Sequence, residues 1–130
     1  MTFTSLELAS IYKLSLMMAE ADGRVTIDER RIIESVFVQK FGVTNESEAD
    51  HIERLAGELE SPADLSYIRN MDAEKKEYVT AFWEALMAVD GEINGKELVL
   101  MNLVSNLCEL PEMTVGRATE ILSIDLNQYK

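Results

Sequence analysis

Residues Met17 to Ile33 read MMAEADGRVTIDERRII, and near the middle of the chain Ala85 to Met101 read ALMAVDGEINGKELVLM. Laid over one another at a single offset, Asp22 falls on Asp90, Gly23 on Gly91, Val25 on Ile93 and Glu29 on Glu97. In each copy an apolar run is broken at Asp-Gly, where glycine takes the left-handed conformation that ends a helix. A residue able to cap a helix then stands three positions before a glutamate, Thr26 with Glu29 and Asn94 with Glu97, which is the spacing of a capping box. The sequence thus describes a helix-turn-helix written twice, with the pattern D-G-x-[V/I]-x-x-x-E at each turn.

Working outward, Ser5 to Glu20 carries apolar residues around most of a helical wheel, which predicts a helix enclosed by neighbours. Thr4 and Glu7 supply its capping box. The second helix begins at Thr26, places Ile32, Ile33, Val36, Phe37 and Phe41 on one side and ends at Gly42. An acidic third helix, near Asn45 to Leu59, has a narrow seam of Ile52, Leu55, Ala56 and Leu59 and should dock shallowly. Ser61-Pro62 opens a short fourth helix to about Asn70, with Leu65 and Ile68 inward. Asp72 caps a fifth, the counterpart of the first, running to Val89 through YVTAFWEALMAV. The sixth puts Leu100, Met101, Val104, Leu107 and Cys108 on one face before Pro111. Thr114 caps a last helix from Val115 to about Ile124, and a short polar tail follows. No segment has the alternation of a strand. The expected fold is all-α: one domain over residues 1–130, of about seven helices, with pseudo-repeats near 6–42 and 74–110.

The chain carries 12 Lys and Arg against 24 Asp and Glu, a formal charge of -12, which repels nucleic-acid phosphates and anionic lipid alike and suits cations or basic partners. No stretch reaches the ~20 apolar residues needed to span a bilayer, so direct membrane insertion is not expected. The opening MTFTSLELAS has neither the basic nor the apolar region of a signal peptide, and a lone cysteine has no use for an oxidising compartment. The expectation is a cytoplasmic protein.

Residue for residue, the repeated pattern matches the second half of an EF-hand calcium loop: acid at position 5, glycine at 6, aliphatic at 8, glutamate at 12. The first half is missing in both copies. Position 1 is Met18 in one and Leu86 in the other, and position 3 is Glu20 and Ala88. A seven-coordinate calcium shell cannot be built from what remains. A weaker site for Mg²⁺ or Ca²⁺, using two or three protein oxygens and water, needs fewer ligands. Its candidates are Asp22 and Glu29 in the first copy and Asp90 and Glu97 in the second, with Glu20, Asp28, Glu92 and Asn94 secondary and Thr26 a further neighbour. Side-by-side packing of the two turns would merge their carboxylates into one acidic centre. Each motif residue also has a structural use: Glu29 and Glu97 complete capping boxes, and Asp22 and Asp90 stabilise turns through backbone N–H groups.

These duplicated A-D-G-x-V and V-D-G-x-I turns, each closing a buried helix, resemble those of the TerB-like family of tellurite-resistance-associated proteins, from about Leu6 to Leu110. The resemblance implies an internally duplicated seven-helix fold, acidic clusters proposed to bind metal, and a role in bacterial stress or metal-resistance assemblies near the inner membrane. Carried over by position, the motif acids are Asp22, Glu29, Asp90 and Glu97. This chain departs from strict symmetry at Gly95-Lys96, where the first copy has Ile27-Asp28, so a cation opposes the second site and the first is expected to be the stronger.

Catalysis finds no support in the residues. His51 lies in the acidic third helix and Cys108 on an apolar face, with no partner by spacing, so surface and core positions are expected for them. Met17, Met18, Met87 and Met101 read as core filling or as an adaptable groove for a partner helix. Trp83 falls by offset on Ser15, leaving it either partly exposed at a contact surface or buried in a central helix. The expected function is non-enzymatic: weak binding of a divalent cation at the acidic turns, alongside protein partners that include a membrane-associated complex. The alternative is an acidic interaction module with purely structural turns and a basic or membrane-associated partner.

Overall fold

The computed structural model describes residues 2–60, 63–89 and 95–129, with the side chain of Asp22 also left aside. Among them the chain forms seven α-helices and no strand: α1 (Ser5–Ala19), α2 (Ile27–Gln39), α3 (Glu46–Glu58), α4 (Ala63–Arg69), α5 (Ala73–Ala88), α6 (Gly95–Leu107) and α7 (Val115–Leu122). Single 3₁₀ turns follow α1, at Glu20–Asp22, and α7, at Leu126–Tyr129. The helix starts are set locally, by caps read from the sequence. Thr4 and Thr26 each accept from the backbone N–H three residues on, while Glu7 and Glu29 reach back to the cap N–H, closing two capping boxes. Asn45, Asp72 and Thr114 cap α3, α5 and α7 by the same side-chain bond.

Tertiary packing follows the duplication. Helix α3 lies on α1 as α7 lies on α5, while α2 packs on α5 and α6 packs on both α1 and α5, so the second helix of each repeat contacts the first helix of the other. The halves meet where α1 and α5 run alongside each other. Trp83 Nε1 donates to Ser15 Oγ at 2.9 Å, and Lys75 Nζ pairs with Glu7 Oε1 at 2.8 Å; both pairs are 68 positions apart. These are the equivalent positions of the two copies, so a residue of one repeat packs on its own counterpart. Because both contacts keep the same order along the chain, the two helices point the same way.

Helices α1 and α5 are the enclosed elements their wheels predicted. Ile11, Leu14, Met18, Val79, Phe82, Trp83 and Leu86 are inaccessible or nearly so. Around Phe82 the rings of Phe37 and Phe41 stand edge-on at 5.9 and 5.6 Å, and Phe3 tilts onto Phe41 at 4.9 Å, the offset geometry that aromatic quadrupoles favour. Ile32, Ile33, Val36, Phe37 and Phe41 of the second helix region are all buried, as expected. The seam of α3 is as expected, with Ile52 and Ala56 buried and Leu55 and Leu59 partly so, but α3 packs closely on α1 rather than docking shallowly.

Four other expectations need correction or refinement. On α6, Met101, Val104 and Cys108 face inward, but Leu107 is exposed and Leu100 only half-buried. That helix is apolar on two sides, and the pattern does not say which one is covered. The last helix stops at Leu122 rather than Ile124, because Ser123 takes a left-handed conformation at φ 54° and ends it. The tail is not a free polar end: Tyr129 is buried and its hydroxyl donates to Ser35 Oγ at 2.7 Å, tying the second 3₁₀ turn to α2. Trp83 is fully buried, which settles its two readings in favour of the core. The proposed Ser61-Pro62 start of α4 lies outside the described residues.

Candidate functional site

The first Asp-Gly turn is built as its residues dictate. Helix α1 ends at Ala19, one 3₁₀ turn carries Glu20–Asp22, and Gly23 reverses the chain at φ 110°, its N–H donating to Glu20 O at 2.8 Å. A side chain at that φ would be strained, so glycine is a requirement here. Thr26 then starts α2: Glu29 N–H donates to Thr26 Oγ1 at 3.1 Å, and Thr26 N–H donates to Glu29 Oε1 at 2.9 Å.

The motif glutamates are placed alike in the two copies. Glu29 is 1% exposed and Glu97 3%, each in the first turn of its helix, where the partial positive charge of unsatisfied N–H groups favours a carboxylate. Of the secondary candidates, Glu20 is exposed and Asp28 half-buried. Asp90, Glu92 and Asn94 lie outside the described residues, as does the Asp22 side chain and with them the second capping box. The 3₁₀ turn of Glu20–Asp22 packs against α6, the helix whose first turn holds Glu97. One acidic turn is therefore brought against the other repeat. Among the described residues no three of His, Cys, Asp or Glu are grouped as ligands for one metal ion.

His51 is exposed on α3, as expected. Cys108 is inaccessible, its Sγ 3.6 Å from Leu65 O, and burial pushes its thiol up to about 11, far from the range of a nucleophile at neutral pH. A cleft of about 350 Å³ opens between α1, α2 and α3, with Leu16, Ile33, Phe37 and Ile52 among its walls and Arg30, Glu34 and Glu53 also lining it. Tyr12 stands in it with its hydroxyl pushed up, by burial first and then by the Glu53 charge.

Sequence reasoning missed one buried charge. Asp64, in the first turn of α4, is 1% exposed; its Oδ2 lies 3.1 Å from Lys13 Nζ, and its Oδ1 accepts from Leu65 N–H at 2.8 Å. Lys13 also donates to Leu59 O at 2.6 Å, so one α1 side chain ties down the end of α3 and the start of α4. An aspartate beside the first turn of a short helix carries a sequence signal for helix stabilisation, but none for burial.

Seven helices, with α3 packed on α1 as α7 is on α5, define a duplicated all-α domain whose first acidic turn lies against a helix of the other repeat. The model of the family described as tellurite resistance protein TerB matches residues 7–120, and the chain belongs to that family. Among solved structures, it is similar to a protein of unknown function, PG1108 from Porphyromonas gingivalis W83. The identity is 34% and the TM-score 0.82, over 95% of this chain and 92% of that one. No curated protein matches the chain.

Proposed function

We propose that this chain is a non-catalytic TerB-family protein that holds a divalent cation weakly at its duplicated acidic turns, in a bacterial stress or metal-resistance setting. The single observation that carries the reading is the contact between the Glu20–Asp22 turn and α6, which brings the acids of one copy against the helix bearing the acid of the other. The donor set is carboxylate oxygen, the chemistry that Mg²⁺ and Ca²⁺ accept with water completing the shell. Asp22, Glu29, Asp90 and Glu97 would hold the ion, and Glu29 would do so while one oxygen stays engaged by the Thr26 cap.

Titration calorimetry and thermal melts with Ca²⁺, Mg²⁺ and Zn²⁺ test it. At ten times a millimolar dissociation constant, native-state binding stabilises by about 1.4 kcal/mol, roughly 5 °C in a domain of this size. The gain should vanish in Asp22→Asn with Asp90→Asn. Absence of both heat and stabilisation at 10 mM ion would overturn the proposal.

The completed capping box at Thr26 and Glu29 favours a second reading, since it gives Glu29 a structural role that needs no ligand. In that reading the turns are scaffolding for an acidic module with a basic or membrane-associated partner, and the same double variant would still capture that partner.

A further inference from the structure

Three helices, α1, α2 and α3, close a cleft that neither reading of the acidic turns needs. It holds about 350 Å³, within the range of small-molecule sites. Its wall is apolar: Ile33, Phe37, Val43 and Ile52 are buried beneath it, Leu16 is half-buried, and Val38, 56% exposed, also lines it. The ring of Tyr12 meets that of Phe37 edge-on at 5.8 Å, so a pair of aromatic rings belongs to the same lining.

Four charged residues line that space as well: Glu20 on the turn after α1, Arg30 and Glu34 on α2, and Glu53 on α3. They converge on one group. The Tyr12 hydroxyl is pushed up by burial first, and each of the four charges then acts on it, Glu53, Glu34 and Glu20 raising it further and Arg30 opposing them. Among the described residues none of the three glutamates is engaged in an ion pair. The duplication supplies an internal control. At the offset of 68, Tyr12, Glu20, Arg30, Glu34 and Phe37 become Thr80, Ala88, Leu98, Asn102 and Ser105. The second copy builds the equivalent helices without the ring pair or the charges, so the fold does not demand them.

We infer that this cleft binds an organic ammonium ion with an apolar body, the body lying against Leu16, Ile33 and Phe37 and the charged end among Glu20, Glu34 and Glu53. Each part of the lining selects one part of that ligand. Three carboxylates against one guanidinium, in a chain of net charge -12, favour a cation and disfavour an anion of the same shape. A bare metal ion keeps its water and leaves the apolar wall unused. The face of an aromatic ring attracts an ammonium group, more strongly where water is kept away. The volume admits one ring with a short chain, whereas a single turn of helix, about 400 Å³ from its diameter and pitch, already exceeds it. The inference stands apart from the divalent-cation proposal, and Glu20 is the one candidate ligand common to both.

Titration of the isotope-labelled chain with phenethylammonium chloride, followed by amide chemical shifts in EDTA so that no divalent ion contributes, tests the cleft. A probe this small should saturate with a Kd of about 1 mM, its largest shifts lying around Tyr12, Phe37 and Ile52. Phenethyl alcohol keeps the ring without the charge and should bind roughly tenfold more weakly, and phenylacetate should not bind. Glu34→Gln with Glu53→Gln alters two exposed side chains, so it should weaken the ammonium about tenfold while the melting temperature stays within ~2 °C. Ala49→Leu, which grows into the cleft from α3, should weaken the amine and the alcohol alike. No saturable shifts at about 20 mM amine, an alcohol or carboxylate that binds as tightly, unchanged affinity in the double glutamine variant, or shifts centred on acidic residues outside the cleft would each overturn the inference.

Discussion

Replacing Ser15 by alanine isolates the contact on which the two halves of the molecule are centred. Trp83 is fully buried, and its indole N–H donates to Ser15 Oγ at 2.9 Å, so the substitution leaves a buried donor with no acceptor. An orphaned buried N–H costs ~1–3 kcal/mol. Alanine is the better helix former by ~0.5 kcal/mol, which offsets part of that. The serine hydroxyl itself donates back to Ile11 O, so removing it strands no other donor. The net expectation is a loss of about 1.5 kcal/mol, or about 5 °C in melting temperature. Urea unfolding is the assay, at an unchanged m-value, with the chain's one tryptophan as a probe placed at the contact itself. The cycle with Trp83→Phe, followed by circular dichroism, should show a coupling of about 1 kcal/mol, because removing both partners strands nothing. A Ser15→Ala variant within ~0.3 kcal/mol of wild type, or additive behaviour across the cycle, would refute the reasoning.

Lys13→Met should destabilise by ~1–3 kcal/mol, less than the full cost of breaking a buried ion pair because Lys13 is 28% exposed, and adding Asp64→Asn should recover part of the loss; urea titration reads both. Burial raises the pKa of Glu84, so the native state binds its proton more tightly than the unfolded chain does. Stability from this group therefore falls as pH climbs from the unfolded value of about 4.5 through the folded one, and Glu84→Gln should raise the neutral-pH melting temperature while losing its advantage in acid. A variant equally stabilised at both ends of that range would contradict the assignment. At pH 7.5 a Cys108 thiol raised from 9.0 to about 11 has roughly 100-fold less thiolate than a free one, so labelling by a disulfide reagent should track global unfolding; rapid stoichiometric labelling of the native protein would disprove it.

The candidate site was legible in part, and the reason is one of range. Thr26 and Glu29 were placed correctly because a capping box is closed by residues three apart, and Gly23 because a helix that turns back at once needs a positive φ. The approach of the Glu20–Asp22 turn to α6 was only a conditional reading, since it depends on how the two repeats dock.

What the sequence by itself determined, then, is the local and the repeated: helix starts at their caps, the buried character of α1 and α5, and the duplication that makes the fold. All of these rest on interactions within a turn or two of helix, or on a pattern that survives translation along the chain. Tertiary structure decided which equivalent residues touch, so that Trp83 meets Ser15, and it buried Asp64 beside Lys13 and folded the tail onto α2 through Tyr129. It also decided that Leu107 faces outward although the apolar pattern of α6 admits it to the core. Periodicity records how apolar a face is; whether another element covers that face depends on contacts between residues far apart in the chain, and no local signal carries them.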